Sequence, residues 1–459
     1  MFKRTRKAGV AGPPTFRRLA SLFVLGTLLM ALLPGTAMAI GPTITGFTPG
    51  SGAVGTPVVI TGTGLTSVVS VTFGGVPATV FTIDSSTQVT ARVPVGAVDG
   101  PITVTKGTGG SATSATSFAV TLRHIVMIMM ENHSYSSIVG SASAPYINGC
   151  LLQTTTCAFP VTAFPTESAT QIYAVQHNSA PDYMNIVSGN NPRTEGLPCT
   201  SYTPQSCPDN DQNLVDQLLP AGLTWGQYSQ DYPGPEGTCN KMYRVKAPNS
   251  TAPIYTAGHV PFMFFTDITK NPTRCTQFFG STSVPNLGDG DGLDRLASDA
   301  AAGSLPTFSF VTPNEYTDMH QKCNLVACPP GSPNQITAGD EFLRYWVPKL
   351  MAGLGPYDEV IITWDESAPT DVSGCCSGVG GAQPQIVGGH IPTFVVLGSA
   401  ATPLDPALLA TPMDSFSLLA GVQNVFSLPG NIPSPPQGEE HLLNQPYATC
   451  GCTTPFGLG

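Results

Sequence analysis

Residues 124–134 read His-Ile-Val-Met-Ile-Met-Met-Glu-Asn-His-Ser. Ile125–Met130 is an unbroken apolar run, as expected of a parallel strand buried on both faces. Its last apolar residue is followed directly by a carboxylate, an amide and an imidazole. Two other runs repeat the pattern. Val360–Trp364 leads into Asp365-Glu366, and Phe308–Val311 leads through Thr312-Pro313-Asn314 to Asp318-Met319-His320. A fourth run, Pro392–Leu397, is read as a strand of the same kind. Helix-like stretches lie between the runs at 212–222, 291–302, 339–353 and 415–426. Strands alternating with helices predict an α/β fold with a mostly parallel sheet flanked by helices. Ligands of such sheets bind at the carboxyl ends of the strands. Glu131, Asn132, Asp318, His320, Asp365 and Glu366 are therefore expected on one edge, as carboxylate, amide and imidazole donors suited to a divalent cation. The competing reading makes each of them an ordinary polar loop start with a capping role.

The region before Arg123 is different. It has five short β-like runs, Pro57–Gly62, Val69–Phe73, Ala78–Phe81, Gln88–Val93 and Pro101–Thr105, with glycine turns between them and no cysteine or histidine from Gly41 to Val120. That spacing predicts a small all-β sandwich. The Gly- and Ser-rich stretch 107–117 reads either as a turn within it or as the start of a linker.

Before the sandwich, six basic residues (Lys3, Arg4, Arg6, Lys7, Arg17, Arg18) precede the apolar run Leu19–Leu33 and the small-residue pattern Ala37-Met38-Ala39. This is the layout of a signal peptide over residues 1–39. The alternative, a retained anchor helix, is disfavoured by a run shorter than the ~18–20 residues that span a bilayer. Arg17-Arg18 raises the twin-arginine route, with little support from its flanks. A secreted, periplasmic or cell-surface location is expected, with no transmembrane segment in the mature chain.

The 459 residues include 49 glycines, 44 prolines and only 10% charged residues, which describes a loop-rich, weakly charged globular protein. The net charge of −10 averages a basic leader with an acidic remainder, in which 13 basic residues face 29 acidic ones. Nucleic-acid binding through a basic surface is disfavoured on that balance. All 12 cysteines lie after residue 149 without C-x-x-C spacing. In an exported chain they read as disulfides rather than as a zinc site, with Cys150/Cys157 and Cys199/Cys207 as close pairs.

On composition alone Ser179, in Gln176-His177-Asn178-Ser179-Ala180-Pro181-Asp182-Tyr183, is one serine among many. Wider stretches change its standing. "HIVMIMMENHSYSSIVG", "LVDQLLPAGLTWGQY", "HVPFMFF", "LPTFSFVTPNEYTDMH" and "VIITWDES" occur in this order. They resemble the phosphoesterase family of bacterial phospholipases C and acid phosphatases, within the alkaline-phosphatase-like superfamily. "SAPDYMNIVSG" is similar to the nucleophile segment of that superfamily. The resemblance spans about 123–430 and is nearest to the exported acid-phosphatase branch. "PTITGFTPGSGAVGTPVVITGTGL" and "VPVGAVDGPITVT" likewise resemble an IPT/TIG domain, an immunoglobulin-like module. The expected division is a leader at 1–39, an IPT/TIG domain at 40–120 and a phosphoesterase domain at 121–459.

The resemblance implies a metal-dependent phosphoric-ester hydrolase of acid-phosphatase-like type. Ser179 would be the nucleophile, and Glu131, Asn132, Ser179, Asp365 and Glu366 would hold one divalent metal ion of unspecified identity. His259 and His320 would bind the phosphoryl group or protonate the leaving oxygen, and Asp318 would orient His320. His177 would either enter the site or stabilise the turn before a helix. The chain departs from the family at Ser415, where a histidine is usual, at His133, and after Glu366, where no histidine loop follows. The expected partner is a phosphate ester, either a small molecule or a phospholipid headgroup. For the IPT/TIG domain the resemblance implies a spacer or a binding module, with a surface or carbohydrate as the expected partner. A phospholipase-C-type diesterase and a catalytically degenerate adhesion protein are the alternatives. His124, His390 and His441 read as structural.

Overall fold

The computed structural model describes residues 41–428 apart from 95–96, 122, 162, 190–202, 243, 247–252, 281–292, 323–333, 375–387, 400, 402–405 and 427. The leader, Cys199 and His441 lie outside the described residues.

Residues 43–120 form two β-sheets. One is four-stranded and antiparallel, in the order Thr43–Thr48, Pro57–Thr63, Gln88–Arg92, Phe81–Ser85. The other is built on Ser111–Val120, Gly100–Lys106 and Val68–Phe73, with short strands at each edge. Alternate residues of the strands point inward, so Val58, Ile60, Val71, Phe73, Val89, Ile102, Val104 and Phe118 make one buried cluster. Two boundaries differ from expectation. The Gly/Ser-rich stretch is neither turn nor linker from Ser111 onward; it is a strand whose small polar residues alternate with buried Ser114 and Phe118. The strand read at Ala78–Phe81 begins only at Phe81, and a short one occupies Val76–Pro77.

The remainder is built on an eight-stranded sheet. Its strands are β1 (Ile125–Met130), β2 (Thr166–Tyr173), β3 (Trp225–Ser229), β4 (Phe278–Phe279), β5 (Phe308–Thr312), β6 (Glu359–Trp364), β7 (His390–Leu397) and β8 (Met413–Asp414). They are ordered β4-β3-β5-β1-β6-β7-β2-β8. The five strands β4, β3, β5, β1 and β6 are mutually parallel. β7 runs antiparallel to both β6 and β2, so the expectation of one more parallel strand at Pro392–Leu397 is corrected. An apolar run buried on both faces looks the same in either direction, which is why the sequence did not show its reversal. β2 regains the direction of the central strands through its antiparallel pairing with β7.

Five helices matter here: α1 (Ser179–Ser188), α2 (Leu214–Leu218), α3 (Asp294–Ala302), α4 (Gln335–Gly353) and α5 (Ser415–Val425). α2 is shorter than the 212–222 stretch read from sequence. Leu219 keeps helical backbone, but Pro220 has no N–H to continue the hydrogen-bond ladder and Gly222 takes φ +74°. α4 begins four residues earlier than expected, because Asn334 caps it by accepting a hydrogen bond from the Thr337 N–H at 2.9 Å.

One apolar cluster fills the sheet–helix layers, with Trp225, Trp346 and Trp364 fully buried. At the amino end of the sheet, the Arg123 guanidinium and the Glu359 carboxylate form a buried ion pair. Cys150–Cys157 and Cys239–Cys275 are disulfides, and Cys207 is also disulfide-bonded. No helix among the described residues is long and apolar enough to cross a membrane.

Candidate active site

The carboxyl ends of β1, β5, β6 and β2 meet at one edge. β1 delivers Glu131, fully buried, and then Asn132 with φ +40°. An asparagine tolerates this left-handed conformation better than most side-chain-bearing residues. The turn aims both of Asn132's donors at the end of β6. Its backbone N–H donates to Asp365 Oδ1 at 3.1 Å, and its Nδ2 donates to Glu366 Oε1 at 2.9 Å. After β2 the chain turns into α1 with Ser179 as its first residue. Ser179 Oγ donates to Glu131 Oε2 at 3.2 Å and to Glu366 Oε1 at 3.4 Å. The helix ends at Gly189, whose φ of +74° closes it with a left-handed cap.

His177 touches the same cluster from the side. Its Nε2 lies 3.0 Å from the Asp371 carbonyl, which can only accept, so Nε2 carries a proton. Its Nδ1 lies 2.9 Å from Glu366 Oε2. His259, nine-tenths buried and stacked on Tyr183 with ring centroids 5.0 Å apart, stands between two carboxylates. Its Nε2 is 3.1 Å from Glu131 Oε1 and its Nδ1 is 3.4 Å from Asp318 Oδ2.

Asp318 holds His320 through its backbone and not through its ring. Its side chain accepts the backbone N–H of His320 at 2.7 Å and otherwise faces His259. The His320 ring is held by Glu315, whose Oε2 lies 2.6 Å from Nδ1. Glu315 was missed from the sequence, although it stands inside the "TPNEYTDMH" stretch that singled out its neighbours. Nothing in spacing alone says which of two nearby carboxylates an imidazole turns toward.

The sequence-predicted site residues therefore stand in one connected cluster: Glu131, Asn132, His177, Ser179, His259, Asp318, His320, Asp365 and Glu366. The histidines read as structural lie apart from it where they are described. His124 pairs with Asp358 at 3.0 Å, and His390 is stacked between Tyr135 and Tyr173. Ser415 opens α5 behind the cap made by Asp414. His133, at the family's other point of departure, turns Nδ1 to the Glu131 carbonyl at 3.0 Å.

Crowding buried carboxylates together raises their affinity for protons. Burial, then the charges of Asp365, Asp318, Glu315 and Glu366, hold Glu131 well above the usual carboxylate range. Burial and the Glu366 charge push Asp365 up to about 7. Burial pushes Glu366 up to about 7 against hydrogen bonds from Ser179 and Asn132, and Asp318 up to about 6 against its contact with His259. For His320, burial favours the neutral ring, but the Glu315 hydrogen bond and the charges of Asp318, Glu315 and Asp365 outweigh it and bring the group to about 9.

Two buried oxygens of the cluster, Asn132 Oδ1 and Asp365 Oδ2, accept no hydrogen bond, and Glu131 Oε1 and Asp318 Oδ2 have only the His259 ring nitrogens beside them. Orphaned acceptors of this kind are costly in a protein interior unless a cation satisfies them. Glu131, His259 and Asp318 also bring one donor atom each within 4.8 Å of one another. The donor set, mostly hard oxygens with imidazole nitrogen, fits a divalent cation.

In an open, parallel-centred α/β sheet the carboxyl edge, here carrying acidic residues and a serine, is where ligands bind. The sequence pattern of the Phosphoesterase family matches residues 169–429, and the chain belongs to that family. The IPT/TIG domain pattern matches residues 42–120. Ser179, His259, Asp318, His320, Asp365 and Glu366 fall inside the phosphoesterase match, whereas Glu131 and Asn132 precede it and are joined to it by the fold. The chain is 27% identical over 260 residues to a phosphatidylinositol-3-phosphatase of Mycobacterium tuberculosis, covering 55% of this chain and 66% of that protein. It is 26% identical over 201 residues to an acid phosphatase of Aspergillus fumigatus, covering 43% of this chain and 37% of that one. These alignments thus span from about a third to two thirds of each relative's length. Among solved structures, the C-terminal periplasmic domain of EcEptC from Escherichia coli is similar over 72% of this chain and 96% of that one, at 11% identity and a TM-score of 0.39.

Proposed function

We propose that this protein hydrolyses phosphomonoesters, with Ser179 as nucleophile. One observation carries the reading. Ser179 Oγ, at the amino end of a ten-residue helix, lies between two buried carboxylates in a pocket of unsatisfied acceptor oxygens. The names of the relatives, a phosphatidylinositol-3-phosphatase and an acid phosphatase, favour a monoesterase over a phospholipase-C-type diesterase.

Glu131, Asn132, Ser179, Asp365 and Glu366 would hold one divalent cation. When bound, such an ion lowers the hydroxyl pKa and neutralises charge on the phosphoryl oxygens. The chain's own residues do the rest. Glu131 and Glu366 fix Ser179 Oγ, and Glu131, the nearer acceptor, takes its proton as the Oγ–P bond forms and returns it to Oγ when that bond is cleaved. The amino terminus of α1 favours the phosphoryl anion beside it. His320 protonates the departing ester oxygen as the P–O bond breaks, and later takes a proton from the water that cleaves the phosphoseryl intermediate. His259 keeps Glu131 and Asp318 in place, and His177 does the same for Glu366.

The division into a leader at 1–39, an IPT/TIG domain at 40–120 and a phosphoesterase domain at 121–459 belongs to the same proposal, as does export. The sandwich acts as a spacer or binding module toward a surface or carbohydrate partner.

The test is p-nitrophenyl phosphate hydrolysis by the purified protein, with and without chelator. We expect activity that chelation removes and a divalent cation restores, and a loss of at least about 10³-fold in Ser179→Ala. Full activity in Ser179→Ala would overturn the assignment of the nucleophile.

A further inference from the structure

We propose that Glu315 is the positioning residue that makes His320, rather than His259, the proton donor to the leaving group. The inference deepens the phosphomonoesterase reading and rests on it.

The two histidines of the pocket are held differently. Both ring nitrogens of His259 are taken: Nε2 faces Glu131 Oε1 at 3.1 Å and Nδ1 faces Asp318 Oδ2 at 3.4 Å. Its ring face lies against Tyr183, and only 7% of its side chain is exposed. A ring so enclosed has no edge left to offer a substrate. His320 has one. Its side chain is 33% exposed, Nδ1 is bound to Glu315 at 2.6 Å, and Nε2 makes no hydrogen bond among the described residues.

Glu315 determines this arrangement. It is 2% exposed, at the turn that follows β5. An ionised carboxylate only accepts, so the contact places a proton on Nδ1 and turns Nε2 away from Glu315. The backbone is pinned as well. The His320 N–H donates to Asp318 Oδ1 at 2.7 Å, and the Gln335 amide, on α4, holds its carbonyl. Other groups near the ring do not replace Glu315. His259 stands edge-to-face at 5.9 Å, His133 adds only repulsion, and Gln321 donates to the same Glu315 oxygen at 3.4 Å. The acid step balances simply. The Nε2 proton passes to the ester oxygen as its bond to phosphorus breaks, the Nδ1 proton stays on the ring, and the imidazole is left neutral.

A donor to the leaving group matters most when that group is a poor one. Glu315→Gln keeps the size and one acceptor but removes the charge. We expect its kcat/KM on an alkyl phosphate to fall about 10²-fold while that on p-nitrophenyl phosphate changes less than about 3-fold. Glu315→Asp should recover part of the alkyl-ester loss. Equal losses on both esters would show a merely structural role and overturn the proposal.

A readout independent of turnover is histidine ¹⁵N NMR, with His320 assigned through His320→Gln. The wild type should show a persistent Nδ1 proton that Glu315→Gln weakens or shifts. An unchanged His320 signal in Glu315→Gln would overturn the proposal even in a protein that turns over no ester. Absence of all phosphatase activity, with the expected NMR change, would instead remove the function on which the acid role depends.

Discussion

At the scale of single residues, the site depends on short polar segments immediately after apolar strands. Asn132 shows how much one position does. Its φ of +40° directs a backbone N–H and a side-chain amide at consecutive acids, Asp365 and Glu366. Replacing it by alanine removes the amide and leaves a side chain in left-handed backbone, at a cost of roughly 1–2 kcal/mol for the conformation. Asn132→Gly removes the amide but not the ease of the turn. Urea denaturation should find the glycine variant more stable than the alanine variant by about 1 kcal/mol. Both should bind a divalent cation more weakly than the wild type in calorimetric titration. Equal stability of the two variants would refute the backbone argument.

The same scale marks what the sequence could and could not convey. Glu131-Asn132 and Asp365-Glu366 were legible because a strand buried on both faces has no use for acids at its end. Ser179 was not distinguishable from other serines by its own neighbourhood and emerged only through resemblance. The exchange of partners between Asp318 and Glu315 was hidden, because it depends on how a loop turns two rings.

At the scale of elements, β1, β5 and β6 were readable from unbroken apolar runs. β2 and β3 were not. Glu167 and Thr170 in β2 and Gln227 and Ser229 in β3 interrupt any apolar pattern. Gln227 is nevertheless fully buried, because its Nε2 donates to Ser229 Oγ and Thr312 Oγ1 at 3.0 Å each. Hydrogen bonding rather than hydrophobicity admits that strand to the core.

β4 follows the disulfide that ties Cys239 to Cys275, 36 positions apart. Closing a loop of that length restricts the unfolded chain by on the order of 3–4 kcal/mol. Cys239→Ser should therefore lower the thermal midpoint by several degrees and the denaturant midpoint in proportion. The oxidised wild type should fall to the same level on reduction if this bridge dominates. A variant with an unchanged midpoint would show that the loop is held by its packing alone.

At the scale of the whole molecule, the low charge density gives the acidic pocket its weight. Asp318, Asp365 and Glu366 are held at about 6, 7 and 7, whereas in the unfolded chain such groups titrate near 4. Between pH 4 and 7 the native state therefore binds more protons than the unfolded state. Stability from these groups is present at low pH and is lost as pH rises through the folded values. His320, held at about 9 against an ordinary value near 6.5, contributes stability that is complete below pH 6.5 and is lost as pH rises through 9. Both trends have the same sign. The cation-free protein should thus lose thermal stability from the site between pH 5 and 8. A divalent cation competes with those protons, so its stabilising effect should grow over the same interval. Thermal scans with chelator and with added Mg²⁺ or Mn²⁺, at pH 5 and pH 8, measure both. The doubly neutralised variant Asp365→Asn/Glu366→Gln should flatten the pH dependence and abolish the cation's effect. A cation-free protein more stable at pH 8 than at pH 5, with a cation increment equal at both, would mean that charge repulsion in this pocket does not govern the molecule's stability.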